Sequence, residues 1–340
     1  MNKKIIALAV AAVTASSLVT AAEVYSKDGT TLDIGGRAEF RGDFGGRTNG
    51  TDIDGTMQNN SRFRLNVGGE TQVTEQLTGF GFYEGEQGVK SSSDNDQTDN
   101  FKQRYMFAGL KGDFGALSFG RQDTAAVQIS QMSDVTTFTG AQKSFISASN
   151  EQINNTILYT GEFDNLKVKA SYVAGEEKDT DGYGLSAIYK LDMGLGFGIG
   201  YSADGKGTNT GDTNEDGNAV IAGINYSMDA LYLAGTYTSG ETGAAKGEDF
   251  NGMEFAAVYS FDNNFALKGA YQKTEIEPAS GSSYNASDFF EITGDYKFNN
   301  NLNAYVAYQL NNLDKEDMSA LGRGSSSAED TLRLGLKYSF

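Results

Sequence analysis

Charged side chains punctuate apolar runs at every second position. Asp33, Arg37, Glu39 and Arg41 alternate with Leu32, Ile34, Gly36, Ala38 and Phe40, and Arg62 and Arg64 flank Phe63 ahead of Leu65 and Val67. Lys167 and Lys169 stand between Leu166, Val168 and Ala170, and Glu291, Asp295 and Lys297 follow the same rule among Phe290, Ile292 and Tyr296. Such groups can steer ions and orient water. Two carboxylates could also share acid–base work, but nothing in the spacing singles out a pair. The chain has no histidine and no cysteine. That removes Ser-His-Asp and Cys-His triads, HExxH metal sites and imidazole catalysis together. The chemistry left is electrostatic, which argues against an enzyme and calls for no cofactor and no metal. A formal charge of −18 argues against nucleic acid as a partner.

The element that would hold such charges is a β-strand, whose side chains point alternately to opposite faces. A charge inside an apolar alternation is costly if both faces are dry and cheap if one face lines water. The last ten residues show this most clearly. Leu332, Leu334, Leu336, Tyr338 and Phe340 form a greasy face, and Arg333, Gly335, Lys337 and Ser339 a polar one. Lipid on the first and water on the second makes this the closing strand of a membrane barrel. Composition agrees: only 39% of residues are hydrophobic, yet there are 18 Tyr and 21 Phe, enough for two interfacial rings, and a single proline, Pro278.

Strand cores recur sixteen times, from 30–44, 60–73, 77–86, 101–111 and 115–122 to 301–311 and 330–340. Tight turns such as Phe163–Asn165, Asp192–Gly194 and Phe298–Asn301 alternate with long polar loops. The expected fold is therefore all-β: a 16-stranded antiparallel transmembrane β-barrel with short periplasmic turns and long external loops. A weak repeat marks the short end, with Tyr189, Tyr226, Tyr259, Tyr296 and Tyr338 each just before a turn or the terminus. Residues 1–21 read as a signal peptide, with Lys3 and Lys4, the apolar Ile5–Val13 and a small-residue cleavage site at Val19-Thr20-Ala21. Cutting after Ala21 or Ala22 leaves a barrel domain over 22–340.

The long loops carry most of the acid excess, so the barrel mouth would be negative. Asp212, Asn214, Asp216 and Gly217 match the first half of a calcium loop, but the twelfth position is Gly223, within a strand, which argues against a specific site. Gly194, Gly196, Gly198 and Gly200 lie along a strand and read as bare inner-face positions, not as a dinucleotide fingerprint. The connection Gln122–Glu151 is the odd one. It is the longest, is low in charge, and holds Val127, Ile129, Met132, Val135, Phe138, Phe145 and Ile146. An apolar loop on an acidic exterior is better accommodated inside, where it would narrow the channel.

At this point the chain resembles the general diffusion porins of the Gram-negative outer membrane. The similarity is carried by Ala22–Asp33, Arg64–Gly79, Phe107–Arg121 and the terminal Phe340. It implies a homotrimer in the outer membrane whose inward-folded third loop sets acids against a ladder of wall arginines. Carried over, the constriction residues are Arg37, Arg64, Arg104 and Lys102 on the wall, all of inward parity, with Glu84 as an inward acid and Asp134 as the loop acid. Two departures are visible: the family's second loop acid falls at Thr137 or Phe138, and a further wall arginine falls at Gln152. The expected function is passive diffusion of ions and small hydrophilic solutes, with mild cation preference. The expected surroundings are outer-membrane lipid and lipopolysaccharide, bridged to the acidic loops by divalent cations. The alternative is a surface adhesin or receptor barrel whose conductance is incidental.

Overall fold

A computed structural model describes residues 21–48, 51–52, 55–89, 101–146, 150–205, 216–243, 247–322 and 328–340. Residues 1–20 of the expected signal peptide, and Asp212 and Asn214 of the calcium-like run, lie outside these. Strands dominate: β1 (Thr30–Phe44), β2 (Arg62–Thr74), β3 (Leu77–Gly88), β4 (Lys102–Gly112), β5 (Gly115–Gln122), β6 (Ile153–Phe163), β7 (Leu166–Val173) and β8 (Gly182–Lys190). They continue as β9 (Leu195–Asp204), β10 (Gly217–Met228), β11 (Leu231–Glu241), β12 (Asp249–Ser260), β13 (Phe265–Glu277), β14 (Tyr284–Lys297), β15 (Leu302–Asn311) and β16 (Thr331–Ser339). Each pairs antiparallel with its sequence neighbours, and β16 pairs back onto β1 from Arg37↔Ser339 to Phe44↔Leu332. The cylinder is closed, so sixteen strands share no free edge. A short N-terminal strand, Ala22–Lys27, pairs with the first residues of β1 and lies end to end with β16 along the same edge. Phe340 completes the seam by exchanging two backbone hydrogen bonds with Gly36 (2.9 and 3.0 Å).

The partition between lipid and water follows the alternation. Phe40, Phe63, Leu185, Ile199, Phe255, Ile292 and Val306 point outward and are exposed on this single chain, while Glu39, Asn66, Lys169, Glu254 and Glu291 are buried within the bore. The expected tyrosine row sits at the short-turn end on the outer face. Tyr259 packs edge-on to Phe261 (4.7 Å), Tyr296 to Phe298 (5.1 Å), and Tyr338 stacks on Phe340 (6.1 Å). The turns below them place Asp164, Asp229 and Asn264 in the left-handed region (φ 49°, 50° and 65°), which short polar side chains tolerate best.

The connection after β5 turns inward, as its apolar residues require. It forms one turn of helix, α1 (Val127–Ser130), and a 3₁₀ turn over Ala141–Phe145. Ala126, Val127, Ile129, Met132 and Ile146 bury themselves against Ile188 of β8 and Ile221 of β10. Glycines make the seat. A Cβ on Gly198 would come within 2.8 Å of Ile129, and one on Gly223 within 2.8 Å of the Met132 sulfur. Burying each of these aliphatic side chains contributes about 1.5–3 kcal/mol, enough to hold the loop down without covalent help.

The last long loop is also ordered at its start, by a helix the alternation did not foretell. α2 (Lys315–Ala320) opens with a capping box between Asp314 and Asp317, and Asp317 accepts the Asn285 backbone N–H (2.6 Å), tying the loop to β14.

Candidate pore constriction

Four neighbouring strands, β1 to β4, present a checkerboard of charge to the lumen. Register sets Glu39 opposite Arg62 and Arg64 opposite Glu86. Arg62 Nε donates to Glu39 (2.7 Å), and its Nη1 lies 3.7 Å from Glu86. Arg64 reaches both Glu86 (Nη2, 2.5 Å) and Glu84 (Nη1, 3.3 Å). Arg104 Nε donates to the same Glu84 oxygen (2.8 Å). Arg37, directly across from Arg64, stands 4.0 Å from Glu39, which also accepts the Tyr305 hydroxyl (2.7 Å). Four guanidiniums and three carboxylates thus form one connected patch, in which the acids offset the like-charge contact of Arg37 directly opposite Arg64.

Of the residues singled out from sequence, Arg37, Arg64, Arg104 and Glu84 meet in this patch. Lys102 stands opposite Glu86 at the long-loop end of β4 and is exposed. Arg104 arrives by a route that simple parity hides. The register jumps from Glu84↔Tyr105 to Gly85↔Gln103, so Arg104 is the extra residue of a β-bulge. Both Arg104 and Tyr105 therefore reach the lumen, and beyond the bulge the odd residues face in, as the Lys111–Glu70 ion pair (2.6 Å) attests. Glu86, the end residue of the expected strand 77–86, lies within β3 and belongs to the patch, although it was not singled out from sequence.

Asp134 is elsewhere. Its carboxylate pairs with Lys143 of its own loop (2.8 Å) and accepts the Thr139 hydroxyl (3.3 Å), while Lys143 also contacts Glu151 (3.3 Å). Burial works against the Lys143 ammonium, but Asp134 and Glu151 outweigh it and hold its pKa above the usual lysine value. Among the described residues, every carboxylate in ion-pair contact with a wall arginine comes from the wall itself. The resemblance set loop acids against these arginines; here the acids are interleaved with them.

The far wall holds the loop instead of facing it. Glu291 of β14 accepts the Thr136 hydroxyl (2.5 Å) and the N–H groups of Thr137 (3.0 Å) and Phe138 (2.9 Å). Glu254 of β12 accepts the Gly140 N–H (2.7 Å) and the Ser133 hydroxyl (2.7 Å). Gln272 of β13 takes the Ala141 N–H (3.1 Å), and Tyr232 of β11 donates to the Met132 carbonyl (2.6 Å). Arg333, clamped by Asp43 through two bonds (2.7 and 2.8 Å), donates to the Thr137 carbonyl and hydroxyl (3.0 Å each) and lies 4.0 Å from the Phe138 ring centre. Arg41 reaches the same two Thr137 oxygens at 3.4 Å. Positions 137 and 138 carry no acid, yet guanidiniums still grip them. At the base of the loop, Asp123 accepts the Tyr105 hydroxyl (2.9 Å) and the Gln152 N–H (3.2 Å), so the neutral residue at 152 contributes a backbone contact. Alternation marks Arg41, Glu291 and Arg333 as lumen-facing, but no sequence signal assigned them, or Glu254, to the loop.

Comparison with known proteins is consistent along the chain. The family model for Gram-negative porins matches residues 7–316. A porin-like protein L of Photobacterium profundum is 34% identical, with both chains covered in full. Among solved structures, Salmonella typhi OmpF in complex with daunomycin superposes with a TM-score of 0.80 at 22% identity, covering 94% of this chain and all of that one. The trimer form of OmpT from Vibrio cholerae gives 0.68 at 19% identity over 92% of this chain and all of its own. A closed barrel with a charged bore, an inward third loop and these matches leave one assignment: the chain belongs to the Gram-negative porins, outer-membrane channel proteins that are not enzymes.

Proposed function

We propose that the waist between the wall cluster and the third loop passes ions and small hydrophilic solutes passively, with mild preference for cations. Arg37, Arg64, Arg104, Lys102, Glu84 and Asp134 are its constriction residues, with Glu39, Arg62 and Glu86 added from the wall patch. The observation that carries this reading is the near balance of charge at that level. Opposed acids and bases orient water and disfavour apolar solutes, and they leave the sign of selection to the surplus of acid elsewhere. That surplus is large, since the whole chain stands at −18. A negative mouth concentrates cations ahead of the waist. Reversal potential across a planar bilayer in a salt gradient tests the reading; anion preference at neutral pH overturns it.

Two further proposals concern surroundings. The fold match to an OmpT trimer form supports a homotrimer, for which crosslinking in intact membranes is the check. The acidic external loops suit divalent cations that bridge to anionic outer-membrane lipid and lipopolysaccharide. Chelation should then lower thermal stability in native membranes and leave it unchanged in detergent.

A further inference from the structure

The wall patch also says which of its own carboxylates an ion in transit meets. Glu39 and Glu84 are sealed behind their arginines, with side chains 5% and 1% exposed. Glu86 is 19% exposed, comparable with the guanidiniums of Arg37, Arg62 and Arg104 around it. It bridges Arg62 and Arg64 from the water side of the cluster. The loop offers less than its sequence suggests. Asp134 is as exposed as Glu86 but has a lysine ammonium in contact (2.8 Å), and the next candidate positions are Thr137 and Phe138. Lys143 is shared between Asp134 and Glu151 (3.3 Å), so an ion passing Asp134 sees its charge spread over a compact three-group cluster.

We propose that Glu86, a wall carboxylate, and not the loop acid Asp134, determines the sign of ion favoured at the waist. The physical reason is local. With Glu86 charged, the wet surface of the patch presents mixed sign. With Glu86 neutral it presents guanidinium alone, because the two remaining carboxylates lie beneath. Lys102, exposed and opposite Glu86 in register, adds to the positive side. A unit charge within several ångströms of the ion path acts with opposite sign on a cation and an anion, so its removal changes their permeability ratio twice over. Allowing for screening in dilute salt, that is a fall of about fivefold in cation-to-anion permeability.

This inference rests on the cation preference proposed above, and the experiment separates the two. Reversal potentials are measured for the unmodified channel, Glu86→Gln and Asp134→Asn in the same gradient. A non-selective or anion-selective unmodified channel removes the underlying reading. A cation-selective one whose preference survives Glu86→Gln, or falls as far with Asp134→Asn, overturns the assignment to Glu86. The expected result is a fall confined to Glu86→Gln. Because the chain has no native cysteine, Glu86→Cys allows a control within one folded channel. Reaction with a sulfonate-bearing thiol reagent during recording should restore cation preference, and a trimethylammonium reagent should lower it further. If both reagents move the reversal potential the same way, charge at position 86 is not the determinant and the proposal fails.

Discussion

The two sides of the bore use the same residue types for opposite ends. On β1 to β4, glutamates and arginines satisfy one another within the wall and leave guanidinium edges and Glu86 facing water. On β11 to β14, glutamates turn away from bases and collect backbone N–H groups from the loop. A carboxylate in the first setting is a charge tuned by its neighbours. In the second it is an acceptor placed where a buried loop would otherwise leave N–H groups unpaired. Deleting charge should therefore alter selectivity on one side and architecture on the other.

The sharpest break of that contrast is on the holding side. Glu291→Ala removes the acceptor for two N–H groups and the Thr136 hydroxyl at once. Stranding buried donors of this kind costs about 1–3 kcal/mol each. Thermal unfolding should shift markedly downward, and single-channel current should become noisy as the loop leaves its seat. Ion preference should change less than with Glu86→Gln. A quiet channel of unchanged stability would show that the loop is held by its apolar residues alone.

Those apolar residues give the second test. Gly198→Val places a branched side chain where even a Cβ would lie 2.8 Å from Ile129 and 2.9 Å from the Met132 sulfur. Overpacking of this sort costs about 1–3 kcal/mol. The expected outcome is a displaced loop, seen as altered conductance with the barrel intact by circular dichroism. Gly55→Ala makes a control for glycine loss elsewhere, since a Cβ there meets nothing within 4 Å.

The third test is electrostatic. Arg104→Gln on the wall patch removes a guanidinium that contacts Glu84 alone among its ion-pair partners. Glu84 keeps Arg64 (3.3 Å), so the fold should persist with a loss of about 1–3 kcal/mol. Cation preference should rise modestly, opposite in direction to Glu86→Gln. A shift of the same sign for both variants would break the view of the patch as one balanced set.

How far these regions were legible in advance differs for the same physical reason. A lipid face and a water face impose a period of two that no tertiary detail can hide, so 30–44 and 115–122 coincide with β1 and β5 residue for residue. The glycines at 198 and 200 were readable as bare inner positions because alternation gives their face; what they make room for depends on a loop more than fifty residues earlier. Asp134 could be placed in the loop but not paired. Its partner Lys143 lies nine residues on, across a bend that neither residue encodes. Arg104 was put on the inner face correctly, although the bulge that delivers it has no marker in Gln103-Arg104-Tyr105. Glu86, the last residue of the strand read over 77–86, shares the face of Glu84, but alternation alone does not show that it bridges two arginines. Periodicity thus reports faces well, and contacts across a lumen hardly at all.

The smallest expected effect concerns pH and again sets loop against wall. Asp134 and Glu151 raise the pKa of Lys143 above its unfolded value despite burial. A raised base contributes stability that is complete below the unfolded pKa, about 10.4, and is lost as pH climbs through the higher folded value. The stability difference between the unmodified protein and Lys143→Met should therefore stay flat from about pH 6 to 9 and close only at strongly alkaline pH. Partial exposure keeps that difference small, about 1 kcal/mol, because water screens the cluster. Thermal unfolding of both proteins across that range is the measurement. A difference that vanishes already near neutrality would mean that Lys143 titrates there, that Asp134 is left as an uncompensated acid in the lumen, and that the loop and not Glu86 carries the selecting charge.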